Sequence, residues 1–146
     1  MTQRLPNLLT QEGIRGNEWR PTPRHNTTLP FTRFVAGAGD YTFCYPGGGK
    51  TTNVHQLALS VVCFSPLQFP FWYGRPRDYA NSLGKEWFKI VPATWDDTRV
   101  ITGKLGEYYA VARRSGSDWY VGGITNESAR SMELPLDFLK TGESYR

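Results

Sequence analysis

The sequence predicts a chain in two parts, an α/β part followed by an all-β part. Before residue 75, a strand-like stretch is followed by an amphipathic helix, which is the order of a β/α unit. After residue 90, short alternating stretches separated by turn residues indicate antiparallel strands. We therefore predict an α/β part at residues 1–75, a linker at 76–89 and a β part at 90–146. Neither part contains enough elements to form a complete domain.

The first 45 residues predict loops, one short helix and one strand. Residues 1–24 contain three prolines and two glycines, which is typical of loops, with at most one short strand at 5–10. Residues 25–37 have the spacing of a short amphipathic helix that ends at its glycine, with the regular part beginning near Pro30. Residues 40–45 alternate as a strand does.

The clearest helix is predicted at residues 51–65. Thr52 or Asn53 can cap it, and Pro66 ends it. Its apolar residues recur at helical spacing: Val54, Leu57, Ala58, Val61 and Val62. Residues 80–88 could form one more short helix.

The second part predicts a hairpin and an edge strand. Residues 107–114 and 118–125 alternate on either side of a turn that contains glycine. Residues 132–137 also alternate, and because Pro135 cannot donate to a ladder, they predict an edge strand. Asp96 and Asp97 would point to opposite faces of a strand, so we interpret them as a turn before a strand.

Composition narrows the function classes. The chain has 146 residues, and 39% are hydrophobic, so it can bury a core but is shorter than a complete α/β barrel of about 250 residues. The net charge is +4, and the basic residues are scattered, which speaks against a nucleic-acid partner. The sequence contains no run of about 18 apolar residues, so it does not predict a membrane span. Cys44 and Cys63 are predicted as buried thiols.

Aromatic residues make up 14% of the chain and have two possible uses. They fill β-rich cores, but they also stack on sugar rings and bases, and composition does not choose between these uses. A non-catalytic carbohydrate-binding or structural β-module therefore stays open beside an enzyme.

Two other features of the sequence give little evidence of a functional site. PGGGKTT lacks the first glycine of a phosphate-binding loop, since Cys44 occupies that position, and it is interpreted as a flexible surface loop. His25 and His55 have no neighbouring carboxylate or cysteine that would suggest a metal site. His25, at the head of a predicted helix, could donate to a bound hydroxyl group.

The stretch QEGIRGNEW carries the candidate chemistry. Glu12 and Glu18 could be solvated loop charges, which is the usual fate of such residues. They also follow a predicted strand and precede a helix, where barrel enzymes hold their active sites. Gly13 and Gly16 permit tight turns, and Trp19 could desolvate Glu18 and raise its pKa, as a general acid requires. Glu12 could supply a hard oxygen ligand for Ca²⁺.

Four long segments resemble the C-terminal part of glycoside hydrolase family 97, which includes α-glucosidases and α-galactosidases. They are QEGIRGNEW, HNTTLPFTRFVAGAGDYTF, TTNVHQLALSVVCFSPLQF and VPATWDDTRVITGKLGEYYAVARRSGSDWYVGGITN. Family members have an N-terminal β-sandwich, a (β/α)8 barrel and a C-terminal β-sandwich. The resemblance implies that residues 1–75 are the last β/α units of the (β/α)8 barrel and that residues 90–146 begin the antiparallel β-sandwich, so that the chain is a fragment.

The resemblance also implies the roles of individual residues. Glu18 matches the family's catalytic acid, Glu12 matches a glutamate that binds Ca²⁺, and His25 is a tentative substrate-binding residue. The family's base or nucleophile lies in barrel segments that this sequence does not contain, so the resemblance leaves inverting and retaining mechanisms open. It implies hydrolysis of α-linked oligosaccharides by the intact enzyme and an inactive isolated fragment. It also implies a periplasmic or secreted bacterial protein, although the first residues lack the apolar core of a signal peptide.

Overall fold

The computed structural model describes residues 7–11, 13–45, 49–72, 74–75, 77 and 82–145. Among these residues it contains three α-helices and five strands. The helices are α1 (Pro23–Thr28), α2 (Asn53–Val62) and α3 (Leu83–Ile90). The strands are β1 (Phe43–Tyr45), β2 (Pro70–Trp72), β3 (Asp97–Lys104), β4 (Tyr108–Ser115) and β5 (Asp118–Thr125). The mixture of helix and sheet agrees with the predicted fold class at this coarse level.

The helix predicted at residues 25–37 is wrong in its start and its continuity. Helix α1 begins at Pro23, where the side chain of Thr22 accepts a hydrogen bond of 3.1 Å from the backbone N–H of His25. Proline suits a first helical turn, because no intrahelical donor is needed there. Pro30 lacks that donor further along, and the chain continues as two short 3₁₀ helices, Leu29–Phe31 and Arg33–Ala36. Residues 7–10, part of the possible first strand, are irregular.

Helix α2 is capped by Thr52, as predicted. The hydroxyl oxygen of Thr52 accepts a hydrogen bond of 3.1 Å from the backbone N–H of His55. The buried face differs from the predicted stripe, because Val54 is 74% exposed whereas the polar Gln56 is fully buried. The helix ends at Val62, four residues before Pro66, where the backbone becomes extended at Cys63.

Strands β1 and β2 pair in parallel on either side of α2 in the sequence. Phe43 pairs with Pro70, and Tyr45 pairs with Trp72. A helix between two parallel strands is the β-α-β connection that parallel pairing requires. All three residues of β1 are buried, and Cys44 and Cys63 are both buried thiols, as predicted.

Strands β3, β4 and β5 form an antiparallel sheet in that order. The predicted hairpin is confirmed as β4 and β5, joined by a turn in which Gly116 has a φ of 59°. Glycine fits this left-handed conformation because it has no Cβ. Strand β3, which begins at Asp97, has an irregular register between Val100 and Thr102.

The edge strand predicted at residues 132–137 is wrong. The segment is irregular and lies against the sheet through side chains, with the ring of Phe138 4.6 Å from that of Trp119. The methyl group of Met132 lies beside Gly123. The alternation therefore does not correspond to backbone pairing, and Leu136, one of the alternating residues, is 50% exposed.

One apolar core joins the two halves of the chain. Helix α2 lies directly on β5, since a Cβ added to Gly122 would be 2.9 Å from the Cβ of Val61 and 3.0 Å from the carbonyl oxygen of Ala58. Among the described residues, the buried members of this core are Ile14, Leu29, Tyr41, Phe43, Leu59, Val61, Val62, Cys63, Tyr109, Val111 and Ile124. The domain boundaries at residues 75 and 90 stay a prediction.

A buried arginine adds a polar connection to this core. Arg113 of β4 is 5% exposed. Its Nε and Nη2 donate to the carbonyl oxygens of Val61 (2.7 Å) and Val62 (3.3 Å), and its Nη1 donates to the hydroxyl of Thr98 (3.0 Å). The sheet thus supplies donors to the carbonyl groups that the end of α2 leaves unpaired.

Gly122→Val should lower the free energy of unfolding by about 1–3 kcal/mol, because the added side chain overpacks the contact between α2 and β5. Urea unfolding followed by circular dichroism measures this change. Gly123→Val is the matched control, since a Cβ there would meet Met132 and Ala110 only at 3.4 and 4.0 Å. Equal losses in the two variants would contradict the predicted contact.

Candidate functional site

Glu18 lies in a single 3₁₀ turn, Asn17–Trp19, that precedes α1. The turn directs Asn17 into the protein, whereas Glu18 is exposed and Trp19 is 69% exposed. The described residues do not bury either side chain, so the desolvation of Glu18 by Trp19 stays a prediction. The turn presents the carboxylate at the surface of the described chain.

Gly16 gives the Glu18 carboxylate the space that it occupies. A Cβ at residue 16 would collide with both carboxylate oxygens and would lie 2.8 Å from the Cβ of Thr42. Gly16 has a φ of −70°, which any residue can adopt. Glycine is thus required here for close approach, whereas Gly13 has a φ of 135°, a conformation that favours glycine.

Asn17 anchors the turn and was not identified from the sequence. Its backbone N–H donates to the carbonyl oxygen of Thr42 at 3.0 Å, and its side chain is buried. Its Oδ1 accepts hydrogen bonds from Gln56 Nε2 (3.2 Å) and from the hydroxyl of Thr51 (3.5 Å). The sequence signal that could have pointed to Asn17 was Gln56, a polar residue in the amphipathic helix α2. Hydrophobic periodicity alone, however, does not identify the partner of such a residue.

His25 lies in α1 and is partly buried. Burial and the positive charge of Arg15 lower the pKa of His25 below its usual value of 6.5, so its ring is neutral at pH 7. Its Nε2 is buried, and no hydrogen-bond partner for it is found among the described residues. A neutral imidazole retains one N–H donor, which is the group that the sequence interpretation required of His25.

His55 belongs to a different, buried polar cluster. Its Nε2 lies 3.0 Å from Nδ2 of Asn26, which also donates to the hydroxyl of Tyr41 at 3.4 Å. In this arrangement the amide nitrogen of Asn26 donates, and Nε2 of His55 accepts. Burial lowers the pKa of His55 to about 4, and burial raises the pKa of Tyr41. Both groups are therefore neutral at pH 7.

The described residues do not by themselves form a calcium site. Within them, no group of three or more His, Cys, Asp or Glu side chains is placed to hold a metal ion. Glu12, the predicted Ca²⁺ ligand, lies outside the described residues, so no reaction step is derived through a metal. None of the helices in the described part of the chain has the length and hydropathy needed to cross a bilayer.

The buried neutral state of His55 predicts a pH-dependent stability. The folded pKa of about 4 lies below the unfolded value of 6.5, so the unfolded chain binds a proton first as the pH falls. Stability should fall between pH 6.5 and 4, by up to about 3 kcal/mol from this residue. Urea unfolding across this pH range should show a shallower loss in His55→Gln than in the wild type.

His25→Gln is the control, because it retains His55 and should retain most of the pH dependence. An identical pH profile for His55→Gln and the wild type would contradict the assignment of a buried, neutral His55.

Comparison with known proteins shows that the chain is similar to part of several glycosidases. Residues 94–146 match the family model "Glycosyl-hydrolase 97 C-terminal, oligomerisation". The chain is 38% identical over 140 residues to a "Probable retaining alpha-galactosidase" of Streptomyces bingchenggensis, covering 90% of this chain and 21% of that protein. It is 35% identical over 161 residues to a "Retaining alpha-galactosidase" of Bacteroides thetaiotaomicron, covering 95% and 24%.

The fold of this chain also resembles that of parts of several solved structures. A glycoside hydrolase family 97 enzyme from Pseudoalteromonas sp. strain K8, in complex with acarbose, is 34% identical with a TM-score of 0.79, and the match covers 94% of this chain and 24% of that one. A β-arabinopyranosidase is 28% identical with a TM-score of 0.60, over 75% of this chain and 19% of that one. The chain thus spans about a fifth to a quarter of the length of each relative.

Proposed function

Because the chain belongs to glycoside hydrolase family 97, we propose that it forms the C-terminal part of a retaining α-galactosidase with Glu18 as its general acid. The observation that carries this proposal is the presentation of Glu18, whose exposed carboxylate lies over Gly16 on a turn anchored by buried Asn17. The two curated α-galactosidases named above support the choice of sugar.

The order and pairing of the strands also support the proposal. The parallel unit β1–α2–β2 has the order of a (β/α)8 barrel repeat, and we propose that it belongs to the end of the catalytic barrel. The sheet of β3, β4 and β5 would begin the C-terminal β-sandwich. The description of the matching family model supports a further role of residues 94–146 in subunit association.

In the proposed reaction, Glu18 donates its proton to the glycosidic oxygen as the bond to the anomeric carbon breaks. A carboxylate about 5–5.5 Å away, in another part of the enzyme, would attack that carbon from the opposite side. Glu18 would then accept a proton from the water that releases the sugar. Neutral His25 would donate a hydrogen bond to a hydroxyl group of the sugar.

Glu18→Gln in the full-length protein should lower kcat/KM for an alkyl α-galactoside by about 10²–10⁴-fold, because glutamine cannot protonate the leaving oxygen. α-Galactosyl fluoride should be spared, because fluoride leaves without protonation. Hydrolysis of both substrates by wild type and variant measures this difference, with the corresponding α-glucosides as a comparison of sugar preference.

Faster turnover of the α-glucosides than of the α-galactosides would indicate an α-glucosidase in which Glu18 is the acid. Unchanged hydrolysis of the alkyl α-galactoside in Glu18→Gln would contradict the role of Glu18. It would favour the alternative in which this chain is a non-catalytic carbohydrate-binding or structural module of the enzyme.

We also propose that Glu12 binds Ca²⁺, on the resemblance described above and on the preference of Ca²⁺ for carboxylate oxygens. Addition of Ca²⁺ should raise the thermal unfolding midpoint of the full-length protein, and Glu12→Gln should reduce this increase, because bound ligand stabilises the folded state. Isothermal titration calorimetry measures the affinity directly, with Mg²⁺ as the control ion. Equal affinities for Ca²⁺ in Glu12→Gln and wild type would contradict this role.

We likewise propose a periplasmic or secreted location for the protein.

A further inference from the structure

Gln56 is a buried polar residue of α2, on the side of the helix that also buries Leu59, Ser60, Val61 and Val62. Its side chain is fully buried, and both ends of its amide group are hydrogen bonded. Burial of an amide costs free energy unless its donors and acceptor are satisfied. We propose that Gln56 is the positioning residue of Glu18, an inference that rests on the function proposed for Glu18.

The nitrogen end of the amide holds the turn that carries the acid. Gln56 Nε2 donates to Asn17 Oδ1 at 3.2 Å and to the hydroxyl of Thr51 at 2.7 Å. That hydroxyl donates to the same oxygen of Asn17 at 3.5 Å. Asn17 immediately precedes Glu18, so these bonds act on the backbone from which the carboxylate extends.

The oxygen end of the amide is fixed to a strand. Gln56 Oε1 accepts a hydrogen bond of 3.2 Å from the backbone N–H of Cys44 in β1. Because this bond determines the orientation of the amide plane, the nitrogen can point only towards Asn17 and Thr51. Gln56 therefore connects the turn, strand β1 and helix α2 through one side chain.

The backbone N–H of Asn17 fixes the turn to Thr42 at 3.0 Å, and Gln56 adds the bond that fixes the Asn17 side chain to α2, whereas the bonds within the turn only close it. The backbone N–H of Trp19 donates to Gly16 at 3.1 Å, and that of Arg20 donates to Asn17 at 2.8 Å. Neither bond attaches the turn to α2. Loss of the Gln56 anchor would let the turn and its carboxylate shift, and a displacement of about 1 Å can cost about a hundredfold in rate.

The test compares two substrates that differ in their need for an acid. In the full-length protein, Gln56→Leu should lower kcat/KM for an alkyl α-galactoside by about tenfold to a hundredfold. It should leave kcat/KM for α-galactosyl fluoride within about threefold of wild type, since fluoride departs without Glu18. Both values are measured on one preparation, so their ratio does not depend on the folded fraction.

Three further variants make the test specific. Asn17→Leu removes the partner oxygen and should reproduce the change in ratio, whereas Asn17→Asp keeps that oxygen and should restore most of the activity on the alkyl substrate. Gln68→Leu is the matched control, because Gln68 Nε2 donates to the carbonyl oxygens of Ser60 (3.2 Å) and Cys63 (3.4 Å), towards the other end of α2. Its ratio should equal that of the wild type.

Equal losses on both substrates in Gln56→Leu would overturn the inference, because they would show a structural role only. If Gln56→Leu does not fold, Asn17→Leu carries the same comparison from the side of the turn, and an unchanged ratio there would overturn the inference equally. If Glu18→Gln itself fails to discriminate between the substrates, the proposed function fails, which distinguishes the two results.

Discussion

The guanidinium of Arg113 connects the sheet to the helix on which the candidate site depends. A buried charge is costly unless its donors are satisfied, and Arg113 meets this condition with two carbonyl oxygens at the end of α2 and one hydroxyl group in β3. The end of a helix carries partial negative charge on its free carbonyls, so a cation is favourable there. Burial lowers the pKa of Arg113, but an arginine remains charged at any pH at which the protein is folded.

Helix α2 is consequently held in place by two kinds of interaction, apolar packing and hydrogen bonds. Its end and its apolar face are fixed on the sheet by Arg113 and by the close approach of Gly122 to Val61. A further polar contact of α2, made by Gln56, reaches the turn that presents Glu18. Hydrogen bonds are directional, whereas apolar contacts tolerate small shifts. The arrangement therefore places α2 firmly and transmits that placement to the turn through an amide with one allowed orientation.

The elements that the sequence predicted well are those determined by neighbouring residues. Thr52 caps α2 through a bond to a residue three positions away, and the hairpin of β4 and β5 follows from alternation around a turn at Gly116. Gln56 and Asn17 were missed because each finds its partner 39 positions away, which local periodicity cannot register. Residues 132–137 failed for a related reason, since alternation does not distinguish a paired strand from a segment that packs across a sheet.

The placement of Trp19 alters how Glu18 could work as an acid. Glu18 and Trp19 are both exposed in the described chain. The removal of water from this carboxyl group would then have to come from the bound sugar and from other parts of the active site. The described residues contribute position instead, through Gly16, Asn17 and Gln56. An acid whose position is fixed before the substrate arrives can protonate the leaving oxygen without reorganisation, and this is the contribution that a rigid turn can make to catalysis.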